Sequence, residues 1–385
     1  MALTVGIIGL PLSGKTTLFN ALTRAGAQIS GYPTSTVQAN RAVVQVPDER
    51  LDRLAEIFHP RKVVPTTVEF VDVAGLGQAA DTERREGLSA EFIGHIRNAD
   101  ALAVVLRCFD NPQAPHPAGS VNPIRDLDDL MAELAITDLA TVDRRIETTT
   151  RKAKSGDKKF AEELDFLKRL REHLNEGRPA SELTFSAAED TILRELFLLT
   201  VKPRLYVANV GEDTLAAAAD LLANDKSAPA ESGELALVAA LRDRAKADGA
   251  ELVAVSARLE AELGELPAED AAEYLAALGL PALGADRVIQ VGYTTLNLIS
   301  FLTAGEDEVR AWTVTRGSKA PTAAGKIHTD FEKGFIRAEV VSYDDLMAAG
   351  GSMKTAKEKG HVRLEGKDYV VRDGDIIEFR FNVTK

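Results

Sequence analysis

Short apolar runs alternate with helix-like stretches along the first hundred residues of the chain. Each run is six or seven residues long and rich in β-branched side chains, as is typical of strands. These runs predict strands at residues 3–8, 41–46, 66–72 and 101–107. Strands separated by helical segments predict an α/β domain with a mainly parallel sheet.

Leucines and other apolar residues at helical spacing dominate the next part of the chain. They run from Leu127 to Ile146, stop at the polar segment 154–158 and resume from Phe160 to Leu174. Two such stretches joined by a turn predict an antiparallel helical hairpin. Its outer faces are highly charged, which leaves open whether it is a solvated structural element or a partner-binding arm.

Strand signals return at residues 204–209 and 251–256, so the hairpin is predicted to be inserted into the α/β domain. From Leu302 the chain is rich in short strand patterns punctuated by glycine, which predicts a small mixed β domain with a few short helices. The predicted parts are a nucleotide-binding domain in two segments, 1–125 and 201–301, a helical domain, 126–200, and a C-terminal domain, 302–385.

A phosphate-binding loop is predicted at Gly9–Thr16, which has the pattern G-x-x-x-x-G-K-[ST]. An apolar strand precedes it and a helical pattern follows it, which is the context that this motif requires. Backbone N–H groups of the loop would cradle phosphates, Lys15 would reach the outer phosphates, and the Thr16 hydroxyl would bind Mg²⁺. The candidate phosphate-binding residues are Leu12, Ser13, Gly14, Lys15, Thr16 and Thr17.

A second motif, Asp72-x-x-Gly75, follows the predicted strand 66–72. Asp72 at the end of an apolar strand would hold Mg²⁺, usually through water. The backbone N–H of Gly75 would approach the γ-phosphate, since glycine has no Cβ in the way. Thr36 is the candidate switch threonine that completes the Mg²⁺ shell, although the neighbouring Thr34 and Ser35 compete for that role.

The predicted base-recognition loop departs from the GTPase pattern Asn-Lys-x-Asp, because it reads Asn209-Val210-Gly211-Glu212. Valine replaces the lysine that flanks the base, and the carboxylate of Glu212 lies one methylene further out. Both changes should weaken guanine preference, since a misplaced polar partner costs about 1–3 kcal/mol. Ser256 and Ala257 follow a strand and fit the last base-contacting loop.

Slow hydrolysis is predicted from Leu76, which directly follows the second motif. Ras-like enzymes place there the glutamine that orients the attacking water, and leucine cannot do so. Another residue, an ion or a partner would have to assist. Gln78 is close in sequence, and the stretch 77–87 has the composition of a switch loop.

Composition narrows the classes of partner. The net charge of −13 argues against nonspecific nucleic-acid binding by the whole surface, and no DNA sequence recognition is expected. Residues 302–385 hold 14 Lys and Arg against 14 Asp and Glu, so this neutral segment could still present a local basic face. An RNA contact and a purely structural strand pair both remain open for a mixed group of cationic and aromatic residues. The group is Lys326, His328, Phe331, Lys333, Phe335 and Arg337.

The sequence predicts a cytoplasmic protein. No apolar run approaches the roughly eighteen residues of a membrane span, and the N-terminus lacks the features of a signal peptide. The single cysteine, Cys108, excludes a disulfide framework and favours a buried thiol over a redox sensor.

Several motifs together resemble the YchF, or Obg-like, ATPase family over essentially the whole chain. They are Gly9-Leu10-Pro11, residues 72–76, Arg107-Cys108-Phe109, Asn209-x-x-Glu212 and residues 323–336. The resemblance implies a P-loop NTPase G-domain with an inserted α-helical coiled-coil hairpin and a C-terminal β-grasp (TGS) domain. It also implies ATP preferred over GTP, adenine contacts through the backbone near Val210, and association with ribosomes and their RNA through the TGS and helical domains.

Two departures from the family pattern limit what carries over. Leu12 replaces an asparagine whose oxygen could hold a monovalent cation, which puts potassium activation in doubt, and Val104 replaces a histidine found in some relatives. Three functions remain open. The first is a Mg²⁺-dependent ATPase that acts as a nucleotide-controlled switch bound to the ribosome, and the second is a GTPase with relaxed base recognition. The third is a binding module that nucleotide stabilises but that does not hydrolyse the nucleotide.

Overall fold

The computed structural model describes residues 3–24, 28–29, 40–73, 90–154, 157–224 and 232–382. The chain forms two compact units. The first comprises Met1–Val43 and Glu69–Val288, and the second comprises Val44–Val68 and Ile289–Lys385. Each unit has its own sheet, of seven and six strands respectively.

The secondary structure follows the predicted alternation of strands and helices. The strands are β1 Thr4–Ile8, β2 Gln28–Ile29, β3 Asn40–Gln45, β4 Lys62–Val64, β5 Thr67–Asp72, β6 Ala101–Arg107, β7 Arg204–Asn209, β8 Glu251–Val255, β9 Leu298–Ala304, β10 Glu308–Thr315, β11 Phe335–Ser342, β12 Arg363–Glu365 and β13 Asp375–Phe381. The helices are α1 Lys15–Arg24, α2 Glu49–Phe58, α3 Ala90–Asn98, α4 Pro123–Ala153, α5 Lys158–Asn175, α6 Ala187–Leu196, α7 Glu212–Asn224, α8 Glu234–Asp248, α9 Ala257–Leu263, α10 Ala268–Ala277, α11 Gly284–Thr295, α12 Ala320–Ile327, α13 Thr329–Lys333, α14 Tyr343–Ala348 and α15 Met353–Glu358.

The sheet of the first unit has the order β2-β3-β5-β1-β6-β7-β8. Strand β1 pairs in parallel with β5 and β6, and β7 pairs in parallel with β6 and β8, whereas β2 is antiparallel to β3. Every residue of β6 is buried, as expected for a central parallel strand covered on both faces. The predicted α/β domain with a mainly parallel sheet is therefore confirmed.

The central strands end at one edge of this sheet, and that edge carries the predicted motifs. Strand β1 runs directly into the phosphate-binding loop, and β5 ends at Asp72. The register pairs Arg107 at the end of β6 with Asn209 at the end of β7. Because parallel strands share a direction, residues far apart in sequence meet here, as in other open α/β sheets.

The predicted helical hairpin is also present. Helix α4 is 31 residues long and begins after an Asn122 cap with proline at its first position, and α5 begins after an Asp157 cap. The two helices share an apolar cluster, built from Val142, Phe166, Leu167, Leu170 and Leu174. The chain then re-enters the sheet at β7, so the hairpin is inserted between β6 and β7.

A buried carboxylate fastens the hairpin to the segment that leads back into the sheet. Asp138 of α4 accepts hydrogen bonds from the backbone N–H of Leu199 at 2.8 Å and from both the N–H and the hydroxyl of Thr200 at 2.8 and 2.7 Å. Burial raises the pKa of Asp138, and these three donors oppose that shift. The carboxylate therefore satisfies backbone groups that have no access to water.

The second unit is a mixed sheet with helices on both faces. Its strand order is β12-β11-β13-β9-β10-β4. Helix α12 packs with Phe301 and Phe379 on one face, while α2 and α14 pack with Leu302 and Ile376 on the other. The mixed β character predicted for the C-terminal part is confirmed.

The second unit also includes Val44–Val68, which the sequence division placed in the nucleotide-binding domain. The three-residue strand β4 pairs in parallel with β10, a long-range pairing that local pattern does not reveal. The residue limits of the four-part division stay predictions. Among the described residues, no helix is long and apolar enough to cross a membrane.

Replacing Asp138 with alanine should lower the free energy of unfolding by about 2–4 kcal/mol, because two buried backbone N–H groups lose their acceptor. Chemical denaturation followed by circular dichroism measures this change. Asp143→Asn is the matched control on the same helix, since Asp143 makes a surface ion pair with Arg171 at 2.7 Å. It should cost less than about 1 kcal/mol. Equal effects of the two substitutions would contradict the role of Asp138.

Candidate nucleotide-binding site

The phosphate-binding loop closes around the carbonyl oxygen of Leu10. The backbone N–H of Ser13 donates to it at 3.3 Å, and the Lys15 ammonium donates to it at 2.8 Å. Gly9, Leu12 and Gly14 have φ values of +155°, +63° and +95°, so three residues of the loop have positive φ. No residue with a side chain fits at position 14, because its Cβ would collide with the side-chain amide of Asn209.

Lys15 is buried, with 7% of its surface exposed. Burial lowers its pKa to about 8, and the charge of nearby Asp72 opposes the shift only in part. An ammonium in such surroundings gains from an anion that replaces lost hydration. The structure thus places a desolvated cation at the N-terminus of α1, where helix-end N–H groups also favour phosphate.

Thr16 and Asp72 form the candidate metal site. The Thr16 hydroxyl donates to Asp72 Oδ2 at 3.0 Å across a sequence separation of 56 residues. Asp72 is 6% exposed, its pKa is raised by burial, and its Oδ1 has no hydrogen-bond partner among the described residues. Oxygen donors of this kind suit Mg²⁺, which takes one or two protein oxygens together with water and phosphate. The residues present therefore fit a magnesium ion.

The side chain of Asn209 joins the phosphate-binding loop to the base-recognition loops. Its Nδ2 donates to the Ser13 carbonyl at 2.9 Å, and its Oδ1 accepts from the N–H of Ala257 at 3.0 Å. Asn209 is 4% exposed, so both bonds form away from water. Asparagine is suited to this position because its amide presents a donor and an acceptor side by side.

The rest of the predicted base loop is held by other parts of the first unit. Val210 is buried in the core, so its side chain is not available to flank a base. The N–H of Gly211 donates to Glu234 at 2.8 Å. Glu212 is exposed at the start of α7, and Tyr274 donates a hydrogen bond to its Oε1 at 2.6 Å.

The last base loop contains Ser256 and Ala257, both buried at the start of α9. One turn further on, Glu260 accepts hydrogen bonds from the N–H groups of Gly284 at 2.6 Å and Ala285 at 3.2 Å. Burial raises the pKa of Glu260 to about 7, and the two backbone bonds oppose that shift. This carboxylate anchors α9, and therefore Ala257, to the first turn of α11.

The structure brings together most of the predicted site residues of the described chain. Ser13 and Lys15 both donate to the Leu10 carbonyl. Asn209 bonds to Ser13 and Ala257, and Thr16, next to Lys15 in the chain, bonds to Asp72. Leu12 and Thr17 are exposed on the loop and the first turn of α1. Thr36, Gly75, Leu76 and Gln78 lie outside the described residues, so their roles stay predictions. The nucleotide-binding roles of the described site residues also stay predictions.

Sequence reasoning missed two residues that shape this edge of the sheet and gave a third, Arg107, no role. Glu234 and Tyr274 hold the base loop from α8 and α10, and neither stands in a recognisable motif. Arg107 is the third: it is 1% exposed, it lies 4.7 Å above the ring of Phe109, and neither Nη atom has a hydrogen-bond partner among the described residues. The sequence showed Arg107 only as an arginine at the end of an apolar strand, within the motif Arg107-Cys108-Phe109.

Comparisons with known proteins match both parts of the chain. Residues 4–155 match the family model MMR_HSR1, described as 50S ribosome-binding GTPase. Residues 298–382 match the YchF-GTPase_C model, described as a protein of unknown function.

Full-length relatives cover the chain from end to end. Proteins of Bacillus subtilis and Haemophilus influenzae, both named Ribosome-binding ATPase YchF, are 46% and 44% identical to it over 383 residues, which is 100% of each chain. The solved structure of the Schizosaccharomyces pombe YchF GTPase is 33% identical, has a TM-score of 0.80, and matches over 98% of this chain and 97% of that one. The chain therefore belongs to the YchF family.

Proposed function

We propose that this chain is a Mg²⁺-dependent ATPase of the cytoplasm that prefers ATP to GTP and acts as a nucleotide-controlled switch on the ribosome. The observation that carries the proposal is the joined site, in which Asn209 links the phosphate-binding loop to a base loop that lacks the GTPase lysine. The name Ribosome-binding ATPase, borne by relatives 46% and 44% identical, supports ATP hydrolysis and ribosome binding.

Different residues bind the phosphates and the metal ion of a nucleoside triphosphate. Lys15 and the loop N–H groups hold the phosphates, and Thr16 and Asp72 hold Mg²⁺. Bound Mg²⁺ would neutralise charge that develops on the phosphate oxygens. Burial of Lys15 and Asp72 keeps water from weakening these contacts. Gly75 is proposed to contact the γ-phosphate and Thr36 to complete the metal shell.

Base selectivity is the second part of the proposal. A guanine base offers two neighbouring donors, N1–H and the N2 amine, to one carboxylate. Here Glu212 already accepts a hydrogen bond from Tyr274, and Val210 offers no lysine stem to flank the base. Adenine needs no such carboxylate, and the backbone at Val210 would contact it.

A GTPase with relaxed base recognition is the second candidate. The observation that favours it is the exposed carboxylate of Glu212, which still stands at the start of α7 where a base-reading acid is needed. The Schizosaccharomyces pombe relative of solved structure is named a YchF GTPase, which is consistent with this candidate.

Ribosome contact is proposed to involve the second unit and the helical hairpin. Lys326, Lys333 and Arg337 are exposed and could pair with RNA phosphates. The expected stacking of bases on the neighbouring aromatics is not available at Phe335, which is 5% exposed in the core. Phe331 stacks on Phe381 with ring centroids 3.7 Å apart. The cations, rather than the aromatic rings, would carry an RNA contact.

Equilibrium titration with MgATP and MgGTP, together with phosphate release measured with and without ribosomes, tests the proposal. We expect tighter ATP binding, slow multiple-turnover release that ribosomes change, and no release by Lys15→Ala. Tighter GTP binding would favour the second candidate. Release that persists in Lys15→Ala would contradict the role of Lys15 in hydrolysis. Ribosomes that change neither affinity nor release would contradict the switch.

The affinity for ATP should depend on pH through Lys15, whose pKa is about 8. A phosphate favours the protonated ammonium, so binding requires proton uptake once the free site is deprotonated. Affinity should therefore be flat below about pH 7 and fall by up to about tenfold per pH unit above the pKa. Calorimetric titration across this range measures the slope. Lys15→Arg, which stays charged, should flatten it, and an unchanged slope in that variant would contradict the assignment.

A further inference from the structure

Several polar groups of the base loop already have partners within the chain. Asn209 uses its donor on Ser13 and its acceptor on Ala257, and the N–H of Gly211 donates to Glu234. The remaining polar side chain is Glu212, and one of its two oxygens accepts the phenol of Tyr274 at 2.6 Å. The loop is thus held before any nucleotide arrives.

The partner of Glu212 comes from a distant part of the sequence. Tyr274 lies on α10, 62 residues beyond Glu212, and 42% of its surface is exposed. The carboxylate also raises the pKa of this tyrosine through the shared hydrogen bond. Arg258 of α9 lies close enough for its charge to interact with Glu212, but its guanidinium pairs with Glu262 at 2.8 Å. Among the described residues, Tyr274 is therefore the one that holds the carboxylate of Glu212 by a hydrogen bond.

The hydrogen bond from Tyr274 limits how Glu212 can recognise a base. An ionised carboxylate has two oxygens, and reading guanine requires both of them to face the N1–H and the N2 amine. A phenol bound to Oε1 takes up one oxygen and fixes the direction of the other. Guanine would have to displace Tyr274, whereas adenine, which presents an acceptor at N1, gains nothing from a free carboxylate.

We propose that Tyr274 is a positioning residue that disfavours guanine by holding the carboxylate of Glu212. The inference rests on the proposed ATP preference and names a device that contributes to it. It concerns selectivity alone: the phosphate contacts of Lys15 and Thr16 are shared by both nucleotides and should not change.

The test is the ratio of affinities for the non-hydrolysable analogues AMPPNP and GMPPNP in the full chain with Mg²⁺. Tyr274→Phe keeps the ring and removes the hydroxyl. It should raise the affinity for GMPPNP by about 3- to 10-fold and leave that for AMPPNP unchanged. In a Glu212→Ala background the same substitution should have no effect on either affinity, because the carboxylate that it acts through is absent.

Tyr206→Phe is the matched control. Tyr206 also donates its phenol to a carboxylate, that of Asp248, within the first unit, and it does not contact Glu212. It should leave the ratio unchanged. An unchanged ratio in Tyr274→Phe, an equal loss of affinity for both analogues, or an effect that persists without Glu212 would each overturn the proposal.

The same titrations separate this inference from the proposed function. If the unmodified chain binds GMPPNP more tightly than AMPPNP, the ATP preference fails. A rise in GMPPNP affinity in Tyr274→Phe would still support the role of Tyr274. If the unmodified chain prefers AMPPNP and Tyr274→Phe leaves the ratio unchanged, the ATP preference stands and the role of Tyr274 fails.

Discussion

The candidate site depends on one buried amide. Asn209 reaches from the end of β7 to the Ser13 carbonyl and to the N–H of Ala257. The amide is 4% exposed and no solvent competes for its bonds, so the loop that binds phosphate and the loop that follows β8 are held in a fixed relation. Gly14 completes the constraint, since a side chain there would occupy the space that the amide nitrogen uses.

Two charged residues of the candidate site, Lys15 and Asp72, are buried near each other. Lys15 and Asp72 lose hydration together, and each shifts the pKa of the other toward its ordinary value without cancelling the cost of burial. The lysine donates to Leu10 and the aspartate accepts from Thr16, which leaves Asp72 Oδ1 without a described partner. Because Lys15 and Asp72 have already lost their hydration in the free protein, little further desolvation cost opposes the binding of a metal ion and a polyphosphate.

Local patterns were enough to predict the strands, the hairpin and the phosphate-binding loop. The spacing of apolar residues, the helix caps and the glycines of a motif each determine the structure of only a few neighbouring residues. The predicted first strands agree with the structure to within one residue at each end. Sequence did not reveal Val44–Val68 as part of the second unit, nor Glu234 and Tyr274 as supports of the base loop. These depend on contacts between distant segments, for which a single sequence carries no periodic signal.

The most direct test of the account is the affinity of Asn209→Asp for MgATP and MgGTP. This substitution keeps the shape of the side chain and the acceptor for Ala257, but it replaces the donor to Ser13 with an oxygen. We expect affinity for both nucleotides to fall by at least about tenfold while the circular dichroism spectrum is retained, since the loops lose their fixed relation. Undiminished affinity for both nucleotides would contradict the central role of Asn209.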